Sequence, residues 1–135
     1  MVREGVLKSV FAVAAMAALV SVSCRPSEPL VVTTIQTGKS LNSDNSIGTH
    51  AATFRPQDKT MYVSVLTGAR GSGTIVVRWM LGSTAIHEVS KDVSYNDQAA
   101  TDFRFQAADG FPRGEYTIEV LLDGKPVGTR SVRVE

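Results

Sequence analysis

Beyond residue 29 the chain alternates apolar and polar positions with a period of two. In KTMYVSVLTG (59–68), Met61, Val63 and Val65 fall on one side. In TIVVRWMLG (74–82), Ile75, Val77, Trp79 and Leu81 share a face, and Val76, Arg78 and Met80 take the other. Phe103 and Phe105 alternate with Arg104 and Gln106 in 100–107. Tyr116, Ile118, Val120 and Leu122 alternate through 114–124, and Val132 and Val134 flank an outward Arg133 near the end. Successive side chains of a strand point to opposite faces, so this period predicts half-buried strands. The β-branched run LVVTTIQT (30–37) predicts another. Residues 84–94 predict one more, with Val89 and Val93 inward, and 47–54 a weak edge strand.

The segments between these runs carry turn chemistry. GKSLNSDNSIG (38–48) predicts a turn or long hairpin loop, and GARGSG (68–73) a flexible connection. Arg55–Asp58 predicts a turn in which the Asp58 carboxylate caps the backbone, and Tyr95–Asp97 another. Asp123-Gly124 between two alternating runs predicts a two-residue hairpin of type I′, which needs positive φ at both residues. No stripe of helical period is present beyond residue 29. The expected fold class is all-β: an antiparallel β-sandwich of seven or eight short strands.

Two features of these strands resemble the immunoglobulin-like sandwich. Trp79 is the chain's one tryptophan, placed on a central strand like the core tryptophan of that fold. Gly114-Glu115-Tyr116-Thr117-Ile118 resembles its tyrosine corner. Ile118 stands where antibody domains carry a cysteine, and Pro112 where the motif usually has an acid, so no antibody-like disulfide is implied. The runs FRPQDKTMYVSV, IVVRW and FPRGEYTIEVLLDGKPVGTRSVRV also resemble a module of small bacterial lipoproteins of unassigned function. That resemblance implies a fold and a compartment, and no reaction.

The first 29 residues break the period. Arg3 and Lys8 precede SVFAVAAMAALVSVS (9–23), which holds no charge and ends in small residues. This is the layout of a secretory signal helix, and it is shorter than the roughly 20 apolar residues a membrane span requires. An uncleaved single-span anchor is the alternative. Ser21-Val22-Ser23-Cys24 then resembles the box closing bacterial lipoprotein signals, with Ser21 where leucine is usual. The resemblance implies cleavage between Ser23 and Cys24 and acylation of Cys24, through a thioether and then its freed amine. A single acyl chain binds a bilayer only marginally, whereas two or three hold durably. A buried cysteine or an intermolecular disulfide is the other reading of a lone thiol. The organisation expected is a signal peptide (1–23), a lipidated Cys24 with a proline-broken linker (24–29), and a sandwich domain (30–135). Arg25, in place of the aspartate that holds such proteins at the inner membrane, implies the outer membrane, facing the periplasm.

Charge narrows the partners. Residues 1–23 contain Arg3, Lys8 and Glu4, which leaves twelve basic and twelve acidic residues beyond them. A near-neutral chain with no basic stripe lacks the footprint of a nucleic-acid binder. Candidate chemistry is sparse. His50 and His87 read as surface histidines, and adjacent His87 and Glu88 point to opposite faces of a strand and cannot share a metal. GARGSGT (68–74) runs into a strand, not the Lys-Ser/Thr and helix of a phosphate loop. Asp92, Asp97, Asp102 and Asp109 have no calcium-loop spacing. Arg78, Arg104, Arg130 and Arg133 suggest one solvated, partly cationic sheet face, the sharper idea being a surface for an acidic glycan or protein. No catalytic, cofactor-binding or metal-binding residues are expected. The expected function is a lipid-anchored, non-enzymatic binding or structural module of the cell envelope, anchored by acyl chains (palmitate) on Cys24, with an envelope protein or glycan as partner. The alternative is a periplasmic enzyme inhibitor acting through loops 38–48 or 68–73, or an accessory subunit of an envelope enzyme.

Overall fold

The computed structural model of the chain describes residues 28–135. The expected signal helix, the Ser23–Cys24 cleavage point and the lipidated Cys24 lie outside the described residues. Nine strands follow in order: β1 (Val32–Leu41), β2 (Ile47–His50), β3 (Thr53–Phe54), β4 (Thr60–Thr67), β5 (Gly71–Leu81), β6 (Thr84–Tyr95), β7 (Ala99–Gln106), β8 (Gly114–Leu122) and β9 (Lys125–Val134). They form a four-stranded sheet, β2-β1-β4-β7, and a five-stranded sheet, β3-β9-β8-β5-β6. Among the described residues there is no helix.

The core is built from the alternate positions of both sheets. Met61, Val63 and Val65 of β4 and Phe103 of β7 meet Ile75, Val77 and Trp79 of β5 and Tyr116, Ile118 and Val120 of β8, all fully buried. Burying each such side chain contributes about 1.5–3 kcal/mol. Leu81, Val89, Val93, Phe105 and Leu122 stay half-buried at the margin of this layer.

The expected count of seven or eight strands falls short because 47–54 is two strands. Ile47 and Phe54 are both buried, at 3% and 0% exposure. They are seven positions apart, so a single straight strand would place them on opposite faces. The chain breaks at Ala51-Ala52, and the two halves join different sheets. Gly38–Leu41 of β1 pair antiparallel with β2, whereas β3 pairs with Arg133 and Val134 of β9. That last pairing is parallel, a departure from the all-antiparallel expectation.

Two expected loops are shorter than their composition suggests. β1 runs on to Leu41 and β2 starts at Ile47, so the reversal is confined to residues 42–46, closed by the Asn42 N–H donating to the Ser46 carbonyl at 2.8 Å. In GARGSG the glycines Gly71 and Gly73 already belong to β5. The N-terminal segment holds them there: Ser72 pairs with Pro29 in a parallel bridge, and its N–H donates to the Glu28 carbonyl at 3.0 Å. Asp123 (φ 51°) and Gly124 (φ 84°) both take the positive φ that the hairpin requires. The Asp123 carboxylate accepts the Thr74 N–H at 2.9 Å, which ties this hairpin to β5. Asp58 caps its turn as expected, accepting the Arg55 N–H at 2.8 Å, and Lys39 lies 3.1 Å from it. The Arg55 amide, then the Lys39 ammonium, hold the Asp58 carboxyl below its ordinary value.

The sandwich has two open sides, and side chains close both. On one side, His87, Lys91 and Tyr95 stand on the same face of β6. The His87 imidazole Nε2 lies 3.2 Å from the Arg104 carbonyl of β7. Lys91 Nζ donates to the Asp102 carbonyl at 2.5 Å, and the Tyr95 hydroxyl shares a 2.7 Å hydrogen bond with Thr101. On the other side, Arg130 of β9 donates from Nε to the Ile35 carbonyl of β1 at 3.0 Å. Donors laid across free carbonyls blunt edges that would otherwise template another strand.

Two core side chains generate predictions. The Tyr116 hydroxyl donates to the Pro112 carbonyl at 2.5 Å, and burial pushes the phenol above its ordinary pKa. Tyr116→Phe removes this bond without opening the core. It is expected to lower unfolding stability by about 0.5–1.5 kcal/mol in urea titrations, and an unchanged midpoint would count against the bond's contribution. Trp79 is fully buried against Phe105 and His87, and its indole N–H has no hydrogen-bond acceptor. A buried unpaired donor costs about 1–3 kcal/mol. Trp79→Phe removes that donor along with part of the ring and is expected to cost under about 2 kcal/mol. Trp79→Ala opens a cavity and should cost about 3–5 kcal/mol. Equal losses for the two variants would contradict this account.

Candidate functional site

The four arginines do not form one cationic face. Arg78 lies on the outer face of the five-stranded sheet, where the register places Glu88 on one side and Glu119 on the other. Its guanidinium contacts both, at 2.9 and 3.4 Å, and the Glu88 carboxylate raises its pKa above the ordinary value. Arg133 sits opposite Glu115 in the β8–β9 register and pairs with it at 2.5 Å. Arg104 belongs to the other sheet, 3.2 Å from Asp102 and over the Tyr62 ring. Arg130 turns to the Ile35 carbonyl. Cross-strand neighbours thus neutralise Arg78 and Arg133, Asp102 of its own strand neutralises Arg104, and the expected cationic surface is replaced by local ion pairs. A strand's own sequence shows which face a residue takes; it does not show which acid lies beside it on the next strand.

The histidines also divide. His50 is exposed, as expected. His87 is not a surface histidine: it is half-buried, stacked on Phe105 with centroids 4.6 Å apart and 5.3 Å from the Trp79 ring. Phe111 completes this aromatic group, edge-on to Phe105 at 5.1 Å. Glu88 points to the opposite face and binds Arg78, so the two neighbours are kept apart as the strand period requires. Among the described residues no three His, Cys, Asp or Glu side chains are grouped to hold a metal ion.

A recess lies elsewhere, at the end of the four-stranded sheet where β4 stops and β7 starts. The β1–β2 hairpin bends back over the outer face of this sheet. A Cβ on Gly38 would collide with the Thr49 carbonyl and the Ile47 side chain, so the bend needs glycine there. The fold-over is fastened by Ser64, which faces outward on β4 yet is fully buried, and whose hydroxyl donates to the Asn45 carbonyl at 2.7 Å. The Ile47 N–H donates to the Gln36 side chain at 3.3 Å. Beneath the overhang is an open cleft of about 540 Å³. Asp44 and Ser46 form its rim, Leu66, Ala99 and Ala100 line it with apolar surface, and Thr33, Thr67 and Gln98 add polar atoms.

The rim is preorganised. Asp44 Oδ1 accepts both the Ser46 hydroxyl, at 2.5 Å, and the Ser46 N–H, at 3.0 Å. The hydroxyl, then the amide, hold the Asp44 carboxyl below its ordinary pKa. Thr33 occupies an irregularity in the β1–β4 register and donates from its hydroxyl to the Leu66 carbonyl at 3.2 Å. The N-terminal segment borders the same end: the Gly68 N–H donates to the Val31 carbonyl at 2.9 Å.

None of these lining residues stands out in the sequence as a site. The run NSDNS carries a local signal, because an aspartate side chain readily bonds the backbone two residues on. That signal marks a turn and says nothing about the sheet face the turn overhangs.

A scan against protein-family models finds no match, and a search of curated proteins finds none either. Among solved structures the chain is similar to the alkylpurine DNA glycosylase AlkC of Pseudomonas fluorescens, in a complex with DNA containing an abasic site analog. The TM-score is 0.54 at 9% identity, over 80% of this chain and 31% of that one. The chain thus spans less than a third of the glycosylase, and at this identity the likeness is one of fold alone.

Proposed function

We propose that the chain is a lipid-anchored, non-enzymatic binding module of the bacterial envelope, built on an immunoglobulin-like sandwich. Three observations support the fold part of this reading. Trp79 stands in the core between the two sheets, Tyr116 makes the back-bond of a tyrosine corner to Pro112, and Ile118 fills the inward position two residues on. Lipid anchorage rests on residues 1–24, above all on Cys24 at the end of an apolar run.

The observation that carries the binding role is the cleft beneath the 42–46 turn. It is an open recess with an oriented carboxylate, on a domain where Arg78, Arg104 and Arg133 are paired with acids and where His87, Lys91, Tyr95 and Arg130 bridge the two sheets. Its position suits a tethered module. Pro29 lies five positions beyond Cys24, a reach of at most about 18 Å. Acyl chains on Cys24 would hold the cleft end of the domain next to the bilayer, with the Asp44–Ser46 rim open to the periplasm. The inhibitor reading is the less favoured, because strands take up part of both expected loops and leave only residues 42–46 and 68–70 between them. The near-neutral charge beyond residue 23, with Arg78, Arg104 and Arg133 paired with acids, also counts against a phosphate-binding, nucleic-acid role.

Metabolic labelling with palmitate followed by membrane fractionation tests the anchor. The wild-type chain is expected to carry label and sediment with membranes, and Cys24→Ser to lose both. A serine variant that stays equally labelled and membrane-bound would refute lipidation.

A further inference from the structure

The hydrogen-bond inventory of the cleft points to one ligand chemistry, and the argument rests on the binding-module reading. A hydroxyl has one proton to donate and two lone pairs to accept. Each hydroxyl that lines the cleft directs its proton into the protein: Thr33 to the Leu66 carbonyl, Thr67 to the Ala99 carbonyl at 3.3 Å, and Ser46 to Asp44 Oδ1. The Gly68 N–H is taken by the Val31 carbonyl, and the Gln98 N–H by Asp97 at 2.7 Å. The Ser46 oxygen also accepts from the Asn42 amide at 3.0 Å, so the hydroxyl lone pairs left to the cleft are chiefly those of Thr33 and Thr67. Asp44 adds a carboxylate whose Oδ2 is left free by the two bonds to Oδ1. Gln98 is the exception, because its side-chain amide has a donor end as well as an acceptor end. None of the described residues lining the cleft is a lysine or arginine. Leu66, Ala99 and Ala100 supply apolar surface beside these acceptors.

Surplus acceptors, a fixed negative charge and an apolar wall together match a donor-only cation on an aliphatic stem. We propose that the cleft binds an alkylammonium group, the chemistry of a lysine side chain or of a free aliphatic amine. The ammonium, with three donors and no acceptor, sits at Asp44 Oδ2 and the threonine oxygens. The methylenes lie on Leu66 and Ala100, as long cationic side chains commonly lay their stems on apolar surface.

The test is titration of the isotope-labelled full chain, purified in detergent, with N-acetyl-lysine methylamide, pentylamine and the neutral N-acetyl-norleucine methylamide. Amide signals of Ser46, Gly68, Ala99 and Ala100 are followed by NMR. Both amines are expected to shift these signals, and the norleucine probe to bind more weakly. Tighter binding of the lysine probe assigns the site to a polypeptide partner, and tighter binding of pentylamine to a free amine; each supports the proposal. Asp44→Asn is expected to weaken amine binding by about two- to fivefold, the range of an exposed ion pair, and added salt should act in the same direction. Ala100→Leu fills the apolar wall without touching the turn and should weaken both amines. Amine affinity unchanged in both variants, or equal binding of the norleucine probe, overturns the proposal. If a monosaccharide or glutarate shifts these signals while the amines do not, the cation assignment fails and the binding-module reading stands.

Discussion

The two sheets are held together chiefly by side-chain contact. The chain has a single cysteine, at position 24, so no disulfide bridges the layers. Everything else depends on the packed stratum centred on Trp79, Tyr116, Phe103 and Phe54, each at 1% exposure or less. A domain of about 100 residues can do without a covalent clamp only if this stratum is continuous. The alternation of both sheets makes it so. Among the described residues its irregularity is the unpaired indole N–H of Trp79, whose burial cost is set against the large apolar area the ring removes from water.

A layer closed by packing leaves edges, and the structure covers them with long polar side chains. His87, Lys91 and Tyr95 reach from one sheet to β7, and Arg130 reaches to β1. These bonds serve two ends. They satisfy backbone and hydroxyl groups at the margin, and they occupy cationic side chains that would otherwise be free. The outer faces follow the same economy, with Glu88–Arg78–Glu119 and Glu115–Arg133 matched across neighbouring strands. Arg78 and Arg133 are thereby matched locally and do not combine into a cationic patch. The cleft under the bent β1–β2 hairpin is set apart by contrast: among the described residues its carboxylate is paired with hydroxyl and amide donors and not with a cation.

The bend that makes this cleft has a local cause and a distant fastening. Gly38 permits the hairpin to fold over its own sheet. Ser64, nineteen positions beyond Asn45, fixes where it lands. A turn of small polar residues thereby becomes a rim, and the ends of β4 and β7 become a floor. Lipid attachment at Cys24, as proposed, would add an orientation to this recess.

Much of the architecture is written in the alternation itself. The inward sets of β4, β5, β8 and β9, the Asp123-Gly124 hairpin and the Asp58 turn all follow from rules that act over a few residues: side-chain period, positive φ, and carboxylate capping. The apolar run and lone cysteine at the N-terminus are equally local. What the sequence could not show is lateral. Which acid lies beside Arg78, why 47–54 divides between two sheets, why the second half of GARGSG is strand, and why His87 is half-buried each depend on neighbours in another segment of the chain. The cleft belongs to this second group, because Thr33, Asp44, Leu66 and Gln98 share no local pattern. A strand's period specifies its own two faces, and only the pairing of strands and the stacking of sheets decide what each face meets.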